Sequence, residues 1–103
     1  MSLKKQYLKS KPVCKVTFLM EKGAAAGASK VDLLGEFNNW NTAEPINMKK
    51  LKDGSFKVVI DLPSEKEYQF KYLLDGEKWV NDDSADKYVN NGLDAEENSV
   101  LAI

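Results

Sequence analysis

The sequence predicts an all-β chain folded as an immunoglobulin-like sandwich of about seven strands. Three observations predict it. β-Branched and aromatic residues alternate with polar ones in short runs, clusters of Gly, Asn, Asp and Pro separate those runs, and no segment carries the 3.6-residue periodicity of an amphipathic helix. Short strands with a turn signal about every 8–12 residues are the pattern of such a sandwich.

Taken in order, Met1 to Lys11 carries Lys4, Lys5, Lys9 and Lys11 and reads as a solvated basic tail, so residues 12–103 form the one expected domain. Val13 to Glu21 opens it, with Val16, Phe18 and Met20 on one face, and Gly23 to Ser29 is a flexible small-residue connection. Lys30 to Phe37 is the second strand. Asn38-Asn39-Trp40-Asn41 has turn composition, and Pro45 ends that loop before a third short strand, Ile46 to Leu51. Asp53-Gly54 turns the chain into Phe56, Val58, Ile60 and Leu62, which share a face at period two. Pro63-Ser64-Glu65 turns it again into Tyr68, Phe70, Tyr72 and Leu74, and these two faces are the expected core. A hairpin at Asp75-Gly76 leads back through Trp79, a polar loop runs from Asn81 to about Glu97, and Ser99 to Ile103 closes the sandwich.

Composition narrows the function classes. The chain has 103 residues, enough for one core, and its longest apolar run is far short of the roughly 20 residues that span a bilayer. The lysine-rich N-terminus lacks the apolar stretch of a secretory signal, which points to a cytoplasmic protein with no membrane partner. One cysteine, Cys14, and no histidine leave no internal disulfide, no Cys/His metal site and no Cys-His nucleophile, and Cys14 is expected as a small buried hydrophobe. Without histidine the commonest general base is missing too, so no catalytic residue, metal or cofactor is expected. The basic end is too short and too poor in aromatics for a nucleic-acid surface. Asp82, Asp83 and Asp86 lack calcium-loop spacing and read as a solvated loop rather than a glycosidase pair.

Four blocks carry a resemblance: Gly35-Glu36-Phe37-Asn38-Asn39-Trp40; Asp61-Leu62-Pro63; Tyr68-Gln69-Phe70-Lys71-Tyr72; and Asp75-Gly76 with Trp79-Val80-Asn81-Asp82. In this order the chain from Lys30 to Ile103 resembles the glycogen-binding module of AMP-activated kinase β subunits and the related early-set N-terminal domain of isoamylase, branching and debranching enzymes. The resemblance implies non-catalytic binding of α-glucan, with Trp40 and Trp79 as the platform on which glucose rings lie. Indole suits the task, because a pyranose presents C–H groups on its ring face and a flat aromatic offers a large apolar surface at low entropic cost. It further implies Lys71 and Asn98 as partners of sugar hydroxyls and Leu93 as the leucine packed beside the sugar. The sequence departs from the kinase pattern in an extra residue between Gly76 and Trp79 and in Glu96, which stands where a sugar-contacting threonine is usual.

The strand phases bear on the platform independently. With Tyr68, Phe70 and Tyr72 facing the core, Lys71 and Leu73 point outward. A three-residue loop Leu74-Asp75-Gly76 places Trp79 opposite Lys71 on that outward face; a two-residue Asp75-Gly76 loop pairs it with Tyr72 on the core side. Both turns fit the sequence. Two other assignments also fit: a domain of the same fold that has lost sugar binding and docks on a glucan-metabolising enzyme or kinase-like complex, and an accessory domain of a glucan-active enzyme.

Overall fold

The computed structural model describes residues 1–90 and 96–103. Along these residues period-two alternation is converted into strands β1 (Ser2–Tyr7), β2 (Val13–Met20), β3 (Val31–Gly35), β4 (Ile46–Asn47), β5 (Lys49–Lys50), β6 (Phe56–Pro63), β7 (Glu67–Leu74), β8 (Lys78–Val80), β9 (Lys87–Asn90) and β10 (Glu97–Ala102), with a short α-helix, α1 (Lys22–Ala25), and a single 3-10 turn at Glu36–Asn38. Two antiparallel sheets result. The first has the order β1-β2-β6-β5, and the second the order β4-β3-β7-β10-β9, with β8 pairing β7 beyond the end of β10.

The two faces expected to be core are core. Cys14, Val16, Phe18 and Met20 from β2, Phe56 and Leu62 from β6, and Tyr68, Phe70, Tyr72 and Leu74 from β7 are buried in one cluster with Leu33 and Leu101. Aromatic edges meet faces at its centre, Phe70 lying 5.4 Å from Phe18 at 76° and 5.8 Å from Tyr72 at 84°. Cys14 is fully buried there.

Four expectations are corrected. The supposed N-terminal tail is strand β1, paired with β2 along its whole length from Ser2↔Leu19 to Tyr7↔Cys14. Its lysines concealed an alternation in which Leu3 packs on the core and Lys5 reaches Asp86 at 2.7 Å. The small-residue connection begins with helix α1, for which its alanines have high propensity, and ends through left-handed Ala26 and Gly27 at φ 52° and 81°. The third strand is two strands: β4 pairs β3 in one sheet, β5 pairs β6 in the other, and buried Met48 sits where the chain crosses between them. Within the expected polar loop, Lys87–Asn90 forms edge strand β9 against β10, too short to show a period.

Candidate functional site

Each residue of the Gly35–Trp40 block has a task in holding the loop. A Cβ on Gly35 would stand 2.5 Å from the Gln69 carbonyl oxygen and 2.8 Å from Phe70 Cβ, so only glycine lets β3 approach β7 this closely. Glu36 turns its carboxylate onto β7, where Oε1 accepts the Gln69 N–H at 2.6 Å. Phe37 drops towards the core, its ring 6.1 Å from those of Phe18 and Tyr68. Asn38 Oδ1 accepts the Gly35 N–H at 3.0 Å, and its amide reaches the Glu44 carbonyl. Asn39 and Trp40 both adopt left-handed backbone, φ 57° and 54°, and the Trp40 N–H closes the loop on the Gly35 carbonyl at 2.9 Å. Positive φ is ordinary for asparagine and uncommon for tryptophan, so this bond and the anchored residues before it hold Trp40 where it stands.

The hairpin at Asp75-Gly76 takes neither turn weighed from the sequence. Asp75 and Gly76 are both left-handed, φ 52° and 70°, and Glu77 N–H bonds the Leu74 carbonyl as in a two-residue turn. Leu74 nevertheless pairs with Lys78 and Leu73 with Trp79, so Glu77 is a bulged extra residue. The extra residue noted in the sequence is absorbed here. Trp79 consequently lies opposite Leu73, two residues along β7 from the Lys71 of the three-residue-loop alternative, and on the same outward face as both. Asp75 also fixes the neighbouring connection, its Oδ1 accepting the N–H groups of Ser29 and Lys30 at 2.9 Å each.

The two tryptophans meet on that face, their ring centroids 6.4 Å apart and the planes inclined at 61°. Trp79 is 41% exposed and Trp40 half-buried. Lys71 shares the face, but its side chain is 10% exposed and its Nζ lies 3.2 Å from Oε2 of the 67% exposed Glu96. Asn98 is half-buried on β10, the strand next to β7, its Nδ2 donating to Gln69 Oε1 at 3.0 Å. Leu93 lies outside the described residues. Trp40, Lys71, Trp79 and Asn98 are therefore brought to one face of the β7 sheet.

Two leucines share the outward phase of the strands that bear the pair. Leu34 and Leu73 point outward in the strand phase yet are buried, and both stand apart from the main core cluster. Leu33-Leu34 and Leu73-Leu74 break the alternation of β3 and β7, and an apolar residue in the outward phase of two adjacent strands signals a second apolar layer. Leu73 is the cross-strand partner of Trp79. Behind it, on the core side, Tyr72 OH donates to the fully buried Asp82 carboxylate at 2.6 Å, and Ser84 N–H and Oγ fill its other oxygen at 2.8 Å each. Burial and the Asp82 charge push the Tyr72 phenol far above its ordinary range. Asp82, expected in a solvated loop, is a satisfied buried carboxylate that ties the end of β8 to β7. Among the described residues no group of His, Cys, Asp and Glu gathers to hold a metal ion.

Comparison with known proteins bears on the family and the fold. The beta-2 subunits of 5'-AMP-activated protein kinase from Mus musculus, Rattus norvegicus and Homo sapiens are each 43% identical to the chain over 58 residues, 56% of this chain and 20% of theirs. The chain thus spans about one fifth of those relatives. The enterobactin esterase FES from Shigella flexneri superposes with a TM-score of 0.73 over 98% of this chain and 32% of its own, at 11% identity, a likeness of fold alone. The family model for the glycogen recognition site of AMP-activated protein kinase matches residues 24–100, and the chain belongs to that family.

Proposed function

We propose that the chain binds α-glucan, glycogen or a maltooligosaccharide, without catalysis, on the outer face of the β7 sheet. The observation that carries it is the pair Trp40 and Trp79, held side by side on an exposed face in a chain of the glycogen-recognition family. Each indole offers a face for the C–H groups of one glucose ring. Two planes inclined at 61° suit a chain whose ring planes turn from residue to residue, as α-1,4 linkage makes them turn, better than a flat β-1,4 ribbon. Asn98 supplies hydroxyl partners, Lys71 acts together with Glu96, and Leu93 is the leucine that the family resemblance assigns to the sugar. A shallow platform with few hydrogen bonds gives a dissociation constant of about 10 μM to 1 mM. A cytoplasmic location and association with a kinase complex or another glucan-active enzyme belong to the same reading.

Titration with maltoheptaose, followed by tryptophan fluorescence, tests it. A saturable change in the wild type that is lost in folded Trp40→Ala and Trp79→Ala variants is the expected result. No change in the wild type would move the assignment to a protein-docking domain, a reading favoured by the engagement of Lys71 with Glu96.

A further inference from the structure

Asp32 is a buried carboxylate on the tryptophan-bearing face. It stands in the outward phase of β3, opposite Asn47 on β4 and opposite Leu73 on β7, and Leu73 in turn stands opposite Trp79 on β8. One row of residues therefore crosses the sheet from Asn47 through Asp32 and Leu73 to Trp79. Its outward neighbours Leu34 and Leu73 are buried and apolar, and Asp32 itself is 2% exposed. Two groups answer its charge: Asn47 Nδ2 donates to Oδ1, and the ammonium of Lys30, a side chain 59% exposed, lies 3.5 Å from Oδ2.

Stability gives little reason for such a residue. Withdrawing a carboxylate from water is costly, and buried polar pairs are often replaced by apolar residues of similar volume with no loss of stability. What a buried polar pair supplies instead is a single satisfied arrangement of the segments it joins. Both partners of Asp32 belong to segments that deliver a tryptophan. The loop bearing Trp40 is fixed at its entry by the bonds of Gly35 to Asn38 and Trp40, and the bond from Asn47 to Asp32 fixes its exit. Lys30 is held in turn through its backbone N–H, which Asp75 Oδ1 accepts at 2.9 Å, and Asp75 lies in the hairpin that leads to Trp79.

We propose that Asp32 is a positioning residue for the tryptophan face: through Asn47 and Lys30 it sets the spacing and inclination of Trp40 and Trp79 before any ligand arrives. The purpose of that arrangement rests on the glucan reading, whereas the arrangement itself is measurable without sugar. Holding the two indoles in place spares a ligand the cost of ordering them, which is worth about tenfold in affinity.

Two readouts test it. Indoles 6.4 Å apart and inclined at 61° generate an exciton couplet in the far-ultraviolet circular dichroism, which reports their geometry, and titration with maltoheptaose reports its use. The double variant Asp32→Leu/Asn47→Leu replaces the polar pair with an apolar one. Its thermal midpoint should equal or exceed that of the wild type, while the couplet diminishes and maltoheptaose binds about tenfold more weakly. Asn47→Ala, a change at an exposed side chain, should diminish the couplet and weaken binding in the same direction. Asp32→Asn keeps an acceptor for the Asn47 amide and should retain both. An unchanged couplet in Asn47→Ala and in the double variant overturns the proposal, as does a wild type without a couplet. A couplet that falls only in step with the thermal midpoint across all three variants also overturns it, because Asp32 would then serve folding alone. Failure of the wild type to bind maltoheptaose overturns the glucan reading instead, and the couplet still decides whether Asp32 positions the indoles.

Discussion

Replacing Gly35 with alanine tests how the fold and the candidate site are joined. Gly35 is extended, φ −177°, which any residue adopts, so the substitution adds no backbone strain and its whole effect is the methyl group. That methyl would stand 2.5 Å from the Gln69 carbonyl oxygen, 2.8 Å from Phe70 Cβ and 2.9 Å from Phe37 Cζ. Two of the three obstacles cannot rotate away, because one is backbone and the other is the Cβ of its paired residue. β3 must therefore move away from β7 at the Gly35↔Phe70 pair. Overpacking of this kind costs about 3 kcal/mol, the upper end of its usual range. At about 4–8 °C per kcal/mol for a domain of this size, the midpoint falls by about 12–24 °C.

The site should suffer beyond the loss of stability, because Gly35 anchors the loop through both backbone groups. Its N–H is held by Asn38 Oδ1 and its carbonyl by the Trp40 N–H. Maltoheptaose binding by the remaining folded Gly35→Ala protein, measured well below its midpoint, should be weakened as well. Gly76→Ala is the control: a Cβ there meets nothing within 4 Å, and φ +70° costs about 1–2 kcal/mol of left-handed strain. A thermal melt in which Gly35→Ala is no less stable than Gly76→Ala would refute the close-approach reasoning.

Two further outcomes follow from the charges. Lys71→Met should leave stability within about 1 kcal/mol, since it removes a buried ammonium and leaves a carboxylate that is 67% exposed; Glu96→Gln strips that ammonium of an anionic partner and should cost about 1–3 kcal/mol in urea melts. Burial pushes the Asp86 carboxyl up, but the Ala102 N–H and the Lys5 ammonium outweigh it and hold it below the ordinary 3.8. A carboxyl depressed on folding stabilises fully above its unfolded value, and that stability is lost as pH falls through the folded one. Asp86→Asn should therefore lower the thermal midpoint at neutral pH, with the gap to wild type closing as pH falls below about 3.8.

Much of the fold was legible because β2, β6 and β7 are long enough for period two to stand out, and their apolar faces became the core. Where the sequence misled, the element was short or its polarity dominated. β1 reads as a basic tail because an edge strand needs only alternate apolar contacts, and Leu3 alone gives little pattern. β9 spans four residues and β4 and β5 two each, lengths at which pairing partners, rather than periodicity, decide the structure. The crossing at Met48 is a tertiary event with no local signature.

At the candidate site the outcome was legible and the route was not. Trp79 shares a face with Lys71 as one of the two turns required, yet its partner is Leu73, because the hairpin combines a two-residue turn with a bulge at Glu77. Composition cannot reveal a bulge, since the extra residue needs only to be tolerated. The engagement of Lys71 by Glu96 was equally hidden, for 25 residues separate them in sequence. The Gly35–Trp40 block shows why a motif can identify a fold more firmly than a function. Gly35, Glu36, Phe37 and Asn38 are spent on strand approach, backbone capping and core anchoring, and Asn39 on the turn. Trp40 alone has a side chain that the loop's own architecture does not use. Its meeting with Trp79 on the outward face is therefore the feature on which the proposed glucan binding rests.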